Sequence, residues 1–285
     1  METTNNLPQQ AAQQQAASIT TMMSNQNVKN RFNELLGKKA PGFISSVLSV
    51  AKTPAMAEAV PSTILNAAVV AATLDLPINP NLGFAYIVPY NNKKTKTMEA
   101  QFQMGYKGFI QLAQRSGQYK TINATDVREG ELISNDILSG EIQIKAVADR
   151  EKKSVIGYAA FFELLNGFRK TLYMSAEEMK EHAKAYSQSY KFDKYGTSLW
   201  TTQFDTMAKK TVIKLLLSKF GPLTIEMQKA QTFDQAVVMD ADDENSARYV
   251  DNDKTDIPDI SQAEEVSFED EAPAEEPQAA KEPGF

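Results

Sequence analysis

The run Asp149-Arg150-Glu151-Lys152-Lys153 holds the combination in this chain closest to hydrolytic chemistry. Carboxylates beside a Glu-x-Lys pair can hold magnesium while the lysine helps to position the attacking water. Basic neighbours oppose a divalent cation there, and the run lies between strand-like segments, which fits a solvated hairpin turn. His182 is the only histidine and sits among Lys and Glu. One histidine builds no Ser-His pair and no multi-histidine metal centre within a single chain. Cysteine is absent, which removes thiolate nucleophiles, Cys-ligated zinc and disulfides and suits a reducing compartment. Neither G-x-x-x-x-G-K-[ST] nor G-x-G-x-x-G occurs, and Gly105-Tyr106-Lys107-Gly108 is too short and too aromatic to cradle a nucleotide. The expectation is no catalytic set, no resident metal or cofactor, and no ATP-driven motor. A magnesium-dependent nuclease using Asp149 and Glu151 stands as the alternative.

Basic residues beside aromatics and amides give the positive signal. At 100° per residue, a helix over 106–115 gathers Tyr106, Phe109, Ile110 and Ala113 into an apolar stripe. Lys107, Gln111, Gln114 and Arg115 share its other side, a face that can bond phosphate oxygens and base edges without reading a fixed sequence. A long helix from about Leu199 to Phe220 carries Phe204, Met207, Ala208, Thr211, Leu215 and Leu216 on a core stripe. Ile213 and Leu217 fall nearly opposite. Gln203, Lys210 and Lys214 follow at i, i+7 and i+11, a ridge expected to track a phosphate backbone. Trp200, the one tryptophan, either stacks on a base or packs inside. Lys93, Lys94 and Lys96 crowd a hairpin loop flanked by Tyr86 and Tyr90, and Lys38-Lys39 and Lys152-Lys153 add charge. No zinc finger or basic zipper is present, so backbone contact with stacking on single-stranded or unwound nucleic acid fits best.

These elements sit in a chain of 285 residues, 42% hydrophobic and 23% charged, a composition for a soluble globule. The net charge of −6 is unevenly divided. Residues 240–285 hold 16 acidic and 3 basic side chains, leaving 27 basic and 20 acidic before them, a net of +7. A basic body with an acidic tail is compatible with nucleic acid, which the overall charge alone is not. Residues 1–27, with six Gln and four Asn, read as a disordered arm, and residues 236–285 as an acidic disordered tail. The folded body is expected at 28–235. Within it, 43–75 is helical in pattern, Asn79–Gly83 a turn, 84–90 and 97–104 a hairpin, and 119–174 a series of strand-like runs. Ser175-Ala176-Glu177-Glu178 opens a further helix with a capping box. Helices, strands, then helices predict an α+β domain with an antiparallel sheet. No apolar stretch suffices to span a membrane and no signal-peptide layout opens the chain, so a cytoplasmic location is expected.

Several ordered blocks strongly resemble the RecT family. They are Leu76-Pro77-Ile78-Asn79-Pro80-Asn81-Leu82-Gly83-Phe84-Ala85-Tyr86-Ile87-Val88-Pro89-Tyr90, then Gln101-Phe102-Gln103-Met104-Gly105-Tyr106-Lys107-Gly108-Phe109, then Leu112-Ala113-Gln114-Arg115-Ser116-Gly117-Gln118-Tyr119. The segment from Trp200 through Phe204-Asp205-Thr206-Met207-Ala208-Lys209-Lys210-Thr211 to Leu217-Ser218-Lys219-Phe220-Gly221 continues the match. The resemblance spans roughly residues 30–235 and omits both tails. It implies a phage or prophage recombinase of a bacterial host: an ATP-independent single-strand annealing protein acting as an oligomeric ring or helical filament with a partner exonuclease. It places Gln103, Tyr106, Lys107, Gln111 and Arg115 along the strand-binding groove, Lys209, Lys210 and Lys214 beside it, and Asn79 and Lys94 at its margin. On this reading alanine at Lys210 and Lys214 weakens binding of all sequences alike and flattens its salt dependence. A pure single-strand protector without annealing activity is the other alternative. The acidic tail solubilises the chain, competes with DNA for the groove, or docks a partner such as a host single-strand binding protein.

Overall fold

The computed structural model describes residues 18–249 apart from 93, 94 and 137. A helical lead-in over residues 18–24 precedes helix α1 (Gln26–Leu36), which Asn25 caps through its side chain. Helix α2 (Ala40–Ala51) and helix α3 (Pro61–Thr73) follow, so the helical pattern expected over 43–75 is interrupted between them. Pro61 starts α3 where its missing N–H has no intrahelical role. Residues 67–72 are all buried, because Ala and Val are small enough for the helix to sink into the core on every side. Strands β1 (Ala85–Asn92) and β2 (Thr97–Met104) pair antiparallel as the expected hairpin, and α3 lies on β2. Helix α4 (Tyr106–Arg115) comes next and ends at Gly117, φ +68.

Strands β3 (Tyr119–Arg128), β6 (Val155–Leu164) and β7 (Arg169–Ser175) make a second antiparallel sheet. A separate hairpin, β4 (Leu132–Asn135) with β5 (Ile142–Ile144), leaves it between β3 and β6. Ser175 opens α5 (Ala176–Tyr186) with the expected capping box, its hydroxyl accepting from Glu178 N–H while Glu178 accepts from Ser175 N–H. Short helices α6 (Gln188–Lys191) and α7 (Leu199–Thr202) lead to α8 (Phe204–Phe220) and α9 (Ile225–Phe233). The long helix expected from Leu199 is therefore broken at Gln203, whose φ of −139° and ψ of 47° are not helical. Helix α8 packs on the inner face of the three-stranded sheet and against α4, within one continuous apolar core. The architecture is α+β with antiparallel sheets, as the element pattern predicts.

Ordered packing passes both boundaries drawn from composition. Ile19 and Met23, one helical turn apart, are buried in the core despite the Gln-rich surroundings. Strands β8 (Ala236–Val238) and β9 (Ala247–Tyr249) extend the first sheet in the order β1-β2-β8-β9. All three residues of β8 are buried, and Arg248 reaches Glu99 Oε2 at 2.5 Å. The body therefore runs at least from 18 to 249 rather than 28 to 235. The remaining expected arm and acidic tail, residues 1–17 and 250–285, lie outside the described residues.

Candidate nucleic-acid interface

Helix α4 is held against the loop before β1 by two glycines. A Cβ on Gly105 would stand 2.1 Å from the Gly83 carbonyl oxygen, and one on Gly108 would stand 2.2 Å from that of Phe84. Only glycine permits this approach, and Gly105 N–H donates to Phe84 O at 2.8 Å. The Gly-Tyr-Lys-Gly run thus serves contact between helix and loop. It brings Lys107 beside Gly83 and Tyr86, and Tyr86 beside Tyr106. Burial, reinforced by the Tyr106 hydroxyl nearby, raises the pKa of Tyr86.

Phe109, Leu112 and Ala113 of α4 are buried, while Lys107, Gln114 and Arg115 are exposed and Gln111 is half-buried. The polar face read from the sequence is therefore on the surface. The fold adds a cation that the expected site lacks. Lys39, just ahead of α2, donates to Asp75 Oδ2 at 2.7 Å and Oδ1 at 3.0 Å. Arg115 Nη1 lies 3.6 Å from the same carboxylate and donates to the carbonyl of Asp75, while Nη2 donates to that of Leu74. Three adjoining hollows of about 420, 290 and 340 Å³ all touch Asp75 and together form a shallow groove. Phe84, Gln111 and Arg115 line its middle, with Lys39 on the rim. Lys38-Lys39 was visible in the sequence only as charge; its approach to Arg115 depends on tertiary structure.

Other expected residues take different places. Asn79 is exposed and closes its own turn, Oδ1 accepting from Asn81 N–H at 3.0 Å. Gln103 sits on β2 opposite Tyr86 and donates to Gln101 Oε1 at 2.9 Å. Lys94 lies outside the described residues. Lys209 turns toward β3, 3.3 Å from Asp126 Oδ1.

The ridge of Lys210 and Lys214 is not on the surface. They are 5% and 7% exposed, and both meet Asp234, which is 0% exposed. The distances are 2.8 Å to Oδ1 and 3.1 Å to Oδ2. Met104 N–H also donates to Asp234 Oδ1 at 2.9 Å. Burial works to raise the Asp234 pKa, but the two ammonium groups and these hydrogen bonds hold it below the ordinary value. Charge buried on this scale is tolerated because it is paired. Trp200 is likewise interior at 5% exposure, with the rings of Phe204 and Tyr190 at 5.5 and 6.2 Å, so packing is its role.

Asp149, Arg150 and Lys152 of the charged run seen in the sequence are engaged in ion pairs. Asp149 pairs with Lys152 at 3.1 Å, and Arg150 reaches Glu131 at 2.5 Å and Asp126 at 3.2 Å. Burial opposes ionisation of Asp126, yet hydrogen bonds from Arg128 and Lys209 outweigh it and bring the pKa to about 2. Among the described residues no three His, Asp or Glu side chains gather as a metal-holding group. A further cleft, about 680 Å³, lies between the β4–β5 hairpin and the outer sheet face, lined by Thr125, Phe161, Arg169 and Lys170 among others. It contains none of the expected site residues. No helix among the described residues is long and apolar enough to cross a membrane.

Comparison with known proteins gives a consistent result. An uncharacterized protein of Bacillus subtilis (strain 168), YqaK, is 48% identical over 219 residues, covering 76% of this chain and 72% of its own. Protein RecT of Escherichia coli (strain K12) is 30% identical over 200 residues, covering 70% of this chain and 72% of its own. The model of the RecT family matches residues 41–251, which take in the α4 face, Asp75 and the buried lysine pair but not Lys39, and this chain belongs to the RecT family.

Proposed function

We propose that this RecT-family chain is an ATP-independent single-strand DNA annealing protein of homologous recombination. The observation that carries the reading is the α4 face with exposed Lys107, Gln114 and Arg115 around a half-buried Gln111, which borders a groove and meets Lys39 from a distant segment. Such a surface holds phosphates by charge and leaves bases free, so pairing itself supplies the discrimination. Annealing is downhill, and the protein need only concentrate and align the strands. Tyr106, Gln103 and Asn79 add polar contacts to the same strand in this reading. Lys209 belongs to a separate charged cluster, and Lys210 and Lys214 support α8 behind α4. In this reading the protein works as an oligomeric ring or helical filament in the cytoplasm of a bacterial host, beside a phage exonuclease. Its acidic tail is available to a host single-strand binding protein.

The test is sequential addition of two complementary labelled oligonucleotides without ATP, over a range of salt. Accelerated pairing with intact strands and a protein-bound product supports the proposal. Coating without acceleration selects a single-strand protector. Shortened strands in magnesium select the nuclease, against which the pairing of Asp149 with Lys152 already weighs.

A further inference from the structure

Asp75 follows the last residue capped by α3, at φ +47. Its N–H donates to Ala72 O at 2.9 Å and that of Leu76 to Ala71 O at 3.0 Å. This is the two-bond helix ending that normally takes glycine, because a Cβ is strained in the left-handed region. Glycine would close the same turn without strain, so the aspartate contributes something the backbone does not require. Its carboxylate holds Lys39 and lies within 3.6 Å of Arg115. Side-chain exposures of 69% for Lys39 and 43% for Asp75 make this an open surface pair, of a kind that adds little stability. A strained residue whose contacts add little to folding points to a role at a site.

We propose that Lys39 and Arg115 form a seat for one backbone phosphate of the single strand, and that Asp75 occupies this seat in the DNA-free protein as a built-in competitor. The inference rests on the α4 face being the DNA surface. The Arg115 guanidinium is anchored on the carbonyls of Leu74 and Asp75, so it stays in place while the carboxylate turns aside. Lys39 is then released to the phosphate. With Asp75 in the groove the seat has a net charge of +1, and without it +2. The competitor keeps each phosphate contact weak, which lets a strand exchange and shift register while it searches for its complement.

The experiment is fluorescence anisotropy of a labelled mixed-sequence oligonucleotide with the full chain across a salt series. It compares wild type, Asp75→Asn, Asp75→Gly and Lys39→Ala. Asn tolerates the left-handed backbone and removes only the charge. Asp75→Asn should bind up to about fivefold tighter, since an exposed pair of up to about 1 kcal/mol no longer competes. Its salt slope should steepen by about 0.7, because the free seat carries +2 rather than +1 and one more unit of charge is neutralised on binding a single strand. Lys39→Ala should bind more weakly with a shallower slope. Asp75→Gly should bind as Asp75→Asn does and melt no lower than wild type. If wild type binds DNA but Asp75→Asn binds equally or more weakly with an unchanged slope, the competitor is overturned while the DNA surface stands. If wild type fails to bind at low salt, both readings fall.

Discussion

The buried charge cluster allows a direct contest between two roles for the same lysines. Asp234 is fully enclosed and pairs with two ammonium groups that are themselves under a tenth exposed. Asp234→Ala would leave two buried cations without their carboxylate, and breaking a buried pair costs about 3–5 kcal/mol. For a domain of this size each kcal/mol moves the melting temperature by about 2–4 °C, so the midpoint should fall by roughly 6–20 °C. Lys210→Met removes the 2.8 Å bond but leaves Lys214 to balance Asp234, so its loss should be smaller, about 1–3 kcal/mol. Thermal melts by circular dichroism, read beside single-strand binding at temperatures where each variant is folded, separate the roles. The structural reasoning expects folded Lys210→Met to bind DNA with the wild-type salt slope. A variant melting within about 2 °C of wild type, yet binding weakly with a flattened slope, would refute it and return the lysines to the DNA surface.

Three further outcomes are expected. Gly108→Ala should destabilise by more than about 2 kcal/mol although alanine favours helices, because its Cβ would meet Phe84 O at 2.2 Å; a denaturant titration checks this. Asp126 has a folded pKa of about 2 against an ordinary 3.8, so its stabilisation is complete above the unfolded value and lost as pH falls through the folded one. The stability gap between wild type and Asp126→Asn should thus be about 2 kcal/mol near neutrality and close between about pH 4 and 2, as urea midpoints at several pH values would show. Ser175→Ala should cost about 1 kcal/mol by losing its half of the capping box, with hydrogen exchange rising in the first turn of α5.

The parts of the fold that were legible have local causes. The β1–β2 hairpin, α4 with Gly117, and the capping box of α5 each announce themselves within twenty residues or fewer. The exposed face of α4 follows from the same periodicity. The lysines of α8 misled because lysine is seldom buried unless paired, and their partner stands beyond the end of that helix, at Asp234. Lys39 and Arg115 become neighbours only when α3 delivers Asp75 between them. Strands β8 and β9 have three residues each, the second inside an acidic stretch, too short for alternation to register. Ile19 and Met23 were hidden by the Gln-rich composition around them.

Helix α8 also sets an order of events during synthesis. Its seventeen residues close over β3, β6, β7 and α4, all of which leave the ribosome before it. At about 5–20 residues per second, the inner sheet face waits seconds for its cover. When Lys210 and Lys214 emerge, the carboxylate that pairs with them is still unmade. Docking can finish only after Asp234 appears and anchors to Met104 of β2. A nascent chain halted before that point presents an open apolar sheet and two stranded cations, and is a target for chaperones and proteases. A residue near the end of the body is thus the one that lets the helix made before it settle into the native state.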